Sequence, residues 1–291
     1  MKISVVIPTF NRGAAIAATL DSVLNQTHAP LEIIVVDDGS TDGTADFIAA
    51  HYGNKVRLIR QQNSGVARAR NRGLRESRGE WIAFCDHDDR FHPQKFERFS
   101  AFDGEDVGVI VPRWREVGAQ IHESPSVAPR NAFSWLFGWH NPIVSMSVPL
   151  VKREVMLHIG GFDPRCAPAD DWDLWLRLAR VTKFAWVDEI LVDYSLHDGQ
   201  QRDDPARMFR AVRRVLGKHP FELARRPLLL WWLLFSGAFV PSIGAYKRFQ
   251  NGENRAIFDA MRAHPLSILS PQWLSLGARI LLRQPTRNNR R

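Results

Sequence analysis

The chain has 291 residues, of which 45% are hydrophobic and 24% charged, enough for a real core in one large domain or a domain with an appendage. Two cysteines, Cys85 and Cys166, exclude a disulfide framework and point to reduced thiols in an intracellular setting. The net charge of +8 is lopsided: from Arg202 onward 17 Lys and Arg stand against 5 Asp and Glu, so a slightly acidic body carries a basic tail suited to an anionic partner.

Strand-like and helix-like segments alternate from the start. Ile3–Pro8 is an apolar run ending in proline, too short for a signal peptide, and no secretory or organelle address is expected. Ala14–Asn25 has helical spacing through Ile16, Leu20, Val23 and Leu24. Leu31–Val36 and Val56–Arg60 read as strands, Thr44–Tyr52 and Val66–Glu76 as helices, and Trp81–Cys85 as a fourth strand. That alternation predicts a mostly parallel sheet flanked by helices.

Beyond Val107–Pro112 the pattern is irregular as far as Pro142. Ser147–Val151 is a further strand candidate, followed by a short helix and the turn Gly160-Gly161-Phe162-Asp163. Asp170–Val181 reads as a helix, and Phe184–Val187 and Ile190–Ser195 as two closing strands. From about Asp204 all is helix and turn. The division expected is therefore an α/β domain over 1–200 and a basic helical appendage over 201–291.

Ligands bind such sheets at the carboxyl ends of the strands. The residues found there are Thr9-Phe10-Asn11, Asp37-Asp38-Gly39-Ser40, Gln61-Gln62-Asn63-Ser64 and Asp86-His87-Asp88-Asp89. Three carboxylates in the last group repel one another and raise each other's proton affinity unless a cation joins them. A solvated turn with Asp89 capping the next helix is the plain alternative. Hard, few oxygen ligands suit Mg²⁺ or Mn²⁺ shared with phosphate oxygens. Asp37-Asp38 can accept hydrogen bonds from a nucleobase or ribose, whereas Gly39, Thr41 and Gly43 are explained by turn and cap chemistry. No Gly-x-Gly-x-x-Gly fingerprint or Walker lysine loop follows the first strand, which disfavours NAD and P-loop readings.

The segments Val6-Ile7-Pro8-Thr9-Phe10-Asn11-Arg12, Val36-Asp37-Asp38-Gly39-Ser40-Thr41-Asp42, Ala69-Arg70-Asn71, Asp86-His87-Asp88-Asp89, Gly160-Gly161-Phe162-Asp163 and Asp170-Asp171-Trp172-Asp173-Leu174-Trp175 resemble family 2 glycosyltransferases. They stand in that family's order over about the first 200 residues. The resemblance implies a GT-A fold and inverting transfer from a nucleotide-diphosphate sugar, with a UDP-sugar the donor expected. It implies a nucleotide pocket around Thr9, Asp38 and Asn63, and an Asp-x-Asp metal site at Asp86 and Asp88 for Mn²⁺ or Mg²⁺, with Asp88 the direct ligand. Arg70 would lie near the donor or form a helix-surface ion pair. Gly160 and Gly161 would face the donor sugar or the acceptor. The general base would be Asp171, second of a pair whose first member is Asp170 here and Glu in the family. His197, after the last strand, would either reach the metal or be structural. Gln201-Arg202-Asp203 does not supply the Gln-x-x-Arg-Trp motif of processive synthases, so one sugar is expected per reaction.

Pro227 to Tyr246 carries no charge between Arg225-Arg226 and Lys247-Arg248, but Ser236, Gly237, Pro241, Ser242 and Gly244 dilute it. A buried or interfacial helix is favoured over a membrane span. Helices at Arg255–Ala263 and Pro271–Arg283 and the basic Arg287–Arg291 complete an appendage able to touch an anionic membrane surface. The expected location is the cytoplasm, with peripheral contact at the inner face of the plasma membrane. The acceptor implied is a glycan or lipid-linked saccharide of the cell envelope. The rivals are a nucleotidyltransferase, which would want a basic glycine-rich loop after the first strand, and an inactive nucleotide-sugar binder, which would have no need of the acids. Nucleic acid is disfavoured because the cleft is acidic and the basic residues lie in the tail.

Overall fold

The computed structural model describes residues 1–118, 121–126, 129, 131–137, 141, 143–196 and 205–225. His197, Gln201-Arg202-Asp203, the uncharged stretch 227–246 and the two later helix candidates lie outside the described residues. Two compact units divide the chain, Met1–Gly199 and Gln200–Arg291.

β-branched, apolar runs make the first strands. β1 (Ile3–Thr9) is buried along its whole length, and a 3-10 turn at Gly13–Ile16 leads into α1 (Ala17–Leu24). β2 (Glu32–Asp37), α2 (Thr44–Tyr52), β3 (Arg57–Arg60), α3 (Val66–Glu76) and β4 (Trp81–Phe84) follow. β1 pairs in parallel with both β2 and β4, and β2 with β3, so four parallel strands stand in the order 3-2-1-4. Val6, Ile7, Ile34, Val35 and Phe84 have no exposed surface and form the centre of the core. α3 sits close on β1 because Gly73 faces Val6, where any added Cβ would collide with the valine side chain. That close approach brings Arg70, one turn earlier on the buried face of α3, to the rim of the sheet.

Beyond β4 come β5 (Arg90–Phe91), α4 (Lys95–Phe99), β6 (Val109–Val117), β7 (Ile121–Glu123), α5 (Ala132–Leu136), β8 (Leu150–Lys152), α6 (Arg153–His158), α7 (Asp170–Leu178) and β9 (Phe184–Ser195). The sheet continues from β4 through β8, β6 and β9 to β5, with β7 against β6. β8 runs antiparallel to β4 and β6, and β5 runs antiparallel to β9, so the second half is mixed. The two closing strands expected from the sequence are one. Pro112 offers no N–H to the ladder, the register against β9 shifts beside it, and Asp188 and Glu189 are left over between Val187 and Ile190. Those two acids pair instead with Arg113 and Arg98.

In the second unit, α8 (Pro205–Gly217) and α9 (Pro220–Ala224) are described, α9 opening on Pro220, whose missing N–H costs a first turn nothing. Cys85 and Cys166, both in the first unit, are buried, and no disulfide joins them. No helix among the described residues is long and apolar enough to cross a membrane.

Candidate active site

β1, β2 and β4 are neighbours and end at one rim, which therefore receives Thr9, Asp38 and the Asp86–Asp89 loop. The loop after β1 turns through Asn11 at φ +49 and is stapled to the loop after β2. Asn11 donates its N–H to Ser40 Oγ at 2.9 Å and accepts from Thr41 N at 2.9 Å, while Thr44 Oγ1 accepts from the N–H groups of Arg12 and Gly13. Thr9 is buried and its hydroxyl has no protein partner.

Asp38 is buried too, and its carboxylate is well occupied. Oδ1 accepts from Gln61 Nε2 at 2.7 Å, Ser64 N at 3.0 Å and Ser64 Oγ at 3.3 Å, and Oδ2 accepts from Gly65 N at 2.8 Å. It ties the loop before α3 to the end of β2. Gly39, at φ +83, lets that loop pass, since a Cβ there would stand 2.8 Å from Asn63 N. The Asn63 side chain itself is exposed.

Arg70 is not on the helix surface. It is buried, with Nη2 2.6 Å from Asp86 Oδ1, Nη1 3.4 Å from Asp170 Oδ2, and its guanidinium over the Phe162 ring. One cation thus bridges the β4 loop to the start of α7. Burial works against the Arg70 charge, but the Asp86 and Asp170 carboxylates outweigh it and raise its proton affinity. Burial likewise pushes Asp86 up, and the Arg70 guanidinium overrides it, leaving the carboxyl below the ordinary value. Asp170 has less of Arg70, so desolvation wins and its proton affinity is raised.

Asp171 follows in the first turn of α7. Part of its surface is accessible, yet protein atoms ring the carboxyl closely. Desolvation and then the Asp170 charge push its pKa up to about 7. Oδ1 accepts from Trp172 N at 2.7 Å and Oδ2 from Asn141 Nδ2 at 2.8 Å. The helix start is itself anchored, because Trp172 Nε1 donates to Leu136 O of α5 at 2.7 Å.

Asp88 lies 4.0 Å from Arg12 Nη2 and 3.9 Å from His87 Nε2, with a quarter of its side chain exposed. His87 Nε2 is buried without a hydrogen-bond partner, and its Nδ1 lies 3.3 Å from Pro8 O. Burial holds the imidazole below its ordinary pKa, a neutral ring able to offer a lone pair. Asp89 caps no helix, contrary to the turn reading: the residue before α4 is Gln94, and Asp89 accepts from Ser195 N at 2.9 Å and Ser145 Oγ at 3.0 Å. Burial, then Asp86, pushes Asp89 up to about 8. Ser145 also reaches Asp86 Oδ2 at 3.3 Å, which makes it a shared support beneath the loop.

Gly160 and Gly161 turn at φ +79 and +68. Gly161 O accepts from Arg177 Nη2 at 2.7 Å, and Asn71 holds Phe162 through both its backbone N–H and C=O. The loop docks α3 to α7. A separate set, Asp163, Cys166 and Asp173, brings its ligand atoms within 4.8 Å of one another. Asp163 is already paired with Arg165 and Asp173 with Arg177, each at 2.9 Å, so both charges are met by guanidinium.

The structure therefore joins Asp86, Arg70 and Asp170 in one chain of contacts, with Asp171 next to Asp170 on α7, and puts Asp88 on the same loop as Asp86. Thr9, Asp38 and Asn63 sit at the adjoining strand ends. Sequence reasoning missed Asn141, Ser145, Arg12 and His87 as partners of these groups. Only Arg12 and His87 carried a signal, as members of quoted motifs.

Residues 4–143 match the family model described as Glycosyl transferase family 2. An uncharacterized glycosyltransferase of Rickettsia typhi is 30% identical over 208 residues, 68% of this chain and 65% of the relative, so the chain spans under two thirds of that protein. Among solved structures, S. aureus TarS 1-349 in complex with UDP-GlcNAc superposes with a TM-score of 0.63 at 20% identity, over 99% of this chain and 93% of TarS 1-349. The mannosyltransferase PcManGT from Pyrobaculum calidifontis, in complex with GDP-Man and Mn²⁺, gives 0.60 at 21% identity, over 98% and 81%. These likenesses give the fold, a curled sheet flanked by helices of the GT-A type.

Proposed function

Residues 4–143 belong to glycosyl transferase family 2, and on that premise we propose that the chain moves one sugar from a nucleotide-diphosphate donor to a hydroxyl group with inversion at the anomeric carbon. The observation that carries this reading is the Asp86–Arg70–Asp170 bridge, which joins the β4 loop to the turn of α7 that presents Asp171. Two groups with different tasks are thereby held at a fixed separation. The solved neighbours carry UDP-GlcNAc and GDP-Man, which supports a nucleotide-sugar donor for this chain.

Asp171 acts as the general base. Its carboxylate takes the proton of the acceptor O–H, the oxygen forms the new bond to the anomeric carbon, and the bond from that carbon to the diphosphate breaks with its electron pair leaving on phosphate oxygen. A base whose pKa lies near 7 is half ionised at neutral pH and still basic enough to take the proton. Thr9, with its unpaired hydroxyl, and the loops carrying Asp38 and Asn63 receive the nucleoside.

The residues present fit a divalent cation. An accessible Asp88 carboxylate beside an unpartnered imidazole nitrogen is a donor set of the right chemistry, with Asp86 behind it. Mn²⁺ or Mg²⁺ there would stabilise negative charge on the departing diphosphate. Asp88 and Asp86 would hold it, with His197 a further ligand. The basic tail fits a peripheral contact with anionic lipid and a glycan or lipid-linked acceptor of the cell envelope. A high-salt wash of cell membranes would release the chain if that contact is peripheral.

The direct test of the reaction is to follow nucleoside diphosphate release from a panel of UDP-, GDP- and dTDP-sugars. No turnover of any donor, or near-native turnover by Asp171→Asn, sinks the proposal.

A further inference from the structure

We infer that Asn141 is the positioning residue of the proposed base: its side-chain amide holds Asp171 in place and favours the ionised carboxylate. The inference rests on the reading of Asp171 given above and adds a residue to it.

The orientation of the amide is fixed by its surroundings. Asn141 Oδ1 accepts from Ile143 N at 3.1 Å, a bond that only the carbonyl end can make with a backbone donor. The amide nitrogen must then be the end that faces α7, and it lies 2.8 Å from Asp171 Oδ2. Asp171 Oδ1 takes Trp172 N, so each carboxylate oxygen has one N–H donor and keeps a lone pair for an acceptor proton. Trp172 N belongs to the same helix and adjusts with it. Asn141 is the donor that arrives from a different segment, and it therefore sets the direction of the carboxylate.

The other influences on Asp171 favour protonation more than they oppose it. Asp170, beside it on α7, and Asp86, from the β4 loop, disfavour its charge, as does desolvation, and Arg70 from α3 is the opposing cation. α5, which packs on α7, contributes the uncharged segment Ala-Phe-Ser-Trp-Leu, and the turn at Pro164–Cys166 carries Arg165 already paired with Asp163. Besides the Trp172 N–H of its own helix, the Asn141 amide is the donated hydrogen bond that favours the charged form.

Two variants separate the positioning task from a structural one. Asn141→Asp keeps an acceptor for Ile143 N but replaces the donor facing Asp171 with a second carboxylate. Asn141→Ala removes both. The measurement is the pH profile of kcat and kcat/KM for nucleoside diphosphate release from whichever UDP-, GDP- or dTDP-sugar the native chain turns over. The acid limb is expected to move up by about one pH unit in Asn141→Ala and further in Asn141→Asp. Turnover at pH 7 falls about five-fold in Asn141→Ala and further in Asn141→Asp and recovers toward pH 9, while the donor KM holds. Both variants folded by circular dichroism with the native acid limb would overturn the inference, as would loss of fold in both, which assigns Asn141 to the architecture alone. Asp171→Asn is the control: if it retains transfer, the assignment of the base has failed. If it is inactive while the Asn141 profiles stay native, only the positioning claim has failed.

Discussion

Asp38, just after β2, and Asp171, in the first turn of α7, both have carboxylates enclosed by protein, but they are held differently. Asp38 accepts from Gln61, Ser64 and Gly65, three residues of one neighbouring loop, and joins β2 to α3. Asp171 accepts one backbone and one side-chain N–H, stands next to a second carboxylate, and is pushed up to about 7. The first arrangement uses a carboxylate as a three-way joint, stable because every oxygen is satisfied. The second keeps a carboxylate under-satisfied and near-neutral in proton affinity, the condition chemistry needs. On the proposed reading, two acids of the same kind divide between architecture and reaction according to how many donors surround them.

The largest effect expected from breaking this contrast falls on the reaction side. Asp171→Asn should lower turnover by about 10³-fold, the scale of general-base catalysis, with the fold intact. Single-turnover assays beside far-ultraviolet circular dichroism check both halves. Asp38→Ala should do the opposite. It strands the donors of Ser64, Gly65 and Gln61, costing about 3 kcal/mol of stability, seen as a fall in denaturation midpoint. Equal loss of turnover from both, with no loss of stability in Asp38→Ala, would erase the distinction.

The contrast also has a pH signature. Asp171 has a folded pKa raised from 3.8 to about 7, so the folded state binds a proton that the unfolded state releases between those values. Its contribution is therefore most favourable below 3.8 and is lost as pH rises through about 7. Asp171→Asn removes the penalty of ionising that group. At pH 8 it should be more stable than the native chain by on the order of 2 kcal/mol, and the advantage should fade as pH falls. Melting curves at pH 8 and pH 4 test this. Catalysis runs the other way, since the base must be ionised: kcat should fall ten-fold per pH unit below about 7.

Periodicity carried the first half of the molecule. Thr44–Tyr52 and Val66–Glu76 were readable as helices to the residue, because alternating apolar runs and turn residues leave little choice there. Strand β5 has two residues and α4 five, too short for any period to show. The bulge opposite Pro112 was disguised as a gap between two strands, since exposed acids inside a strand look like a turn. At the candidate site, motif positions singled out Asp86, Asp88 and Asp171. What surrounds them was not legible: Asn141 and Ser145 lie in an irregular stretch and act from 30 and 59 residues away in sequence. Such contacts depend on where the segment before β8 passes Asp86 and Asp171, a tertiary fact that no local pattern encodes. Arg70 shows the same limit. Its helix was evident, but its bridging of Asp86 and Asp170 depends on the glycine contact that lets α3 approach β1.

The smallest effect concerns the twin glycines. Gly160 and Gly161 both sit at positive φ, which an L side chain adopts at a cost. They differ in space. A Cβ on Gly160 meets nothing within 4 Å, whereas one on Gly161 collides with Asn71 Oδ1, the atom that accepts from Phe162 N. Gly160→Ala should therefore cost only the backbone term, about 1 kcal/mol, or about 3 °C in melting temperature. Gly161→Ala adds displacement of Asn71 and should cost more. If the loop serves as the joint between α3 and α7, Gly160→Ala keeps turnover and both substrate KM values within about two-fold of native, since a term of 1 kcal/mol in stability leaves a folded site unchanged. A ten-fold rise in either KM without further loss of stability would instead move the loop from the architectural side of the comparison to the substrate side, where the family resemblance put it.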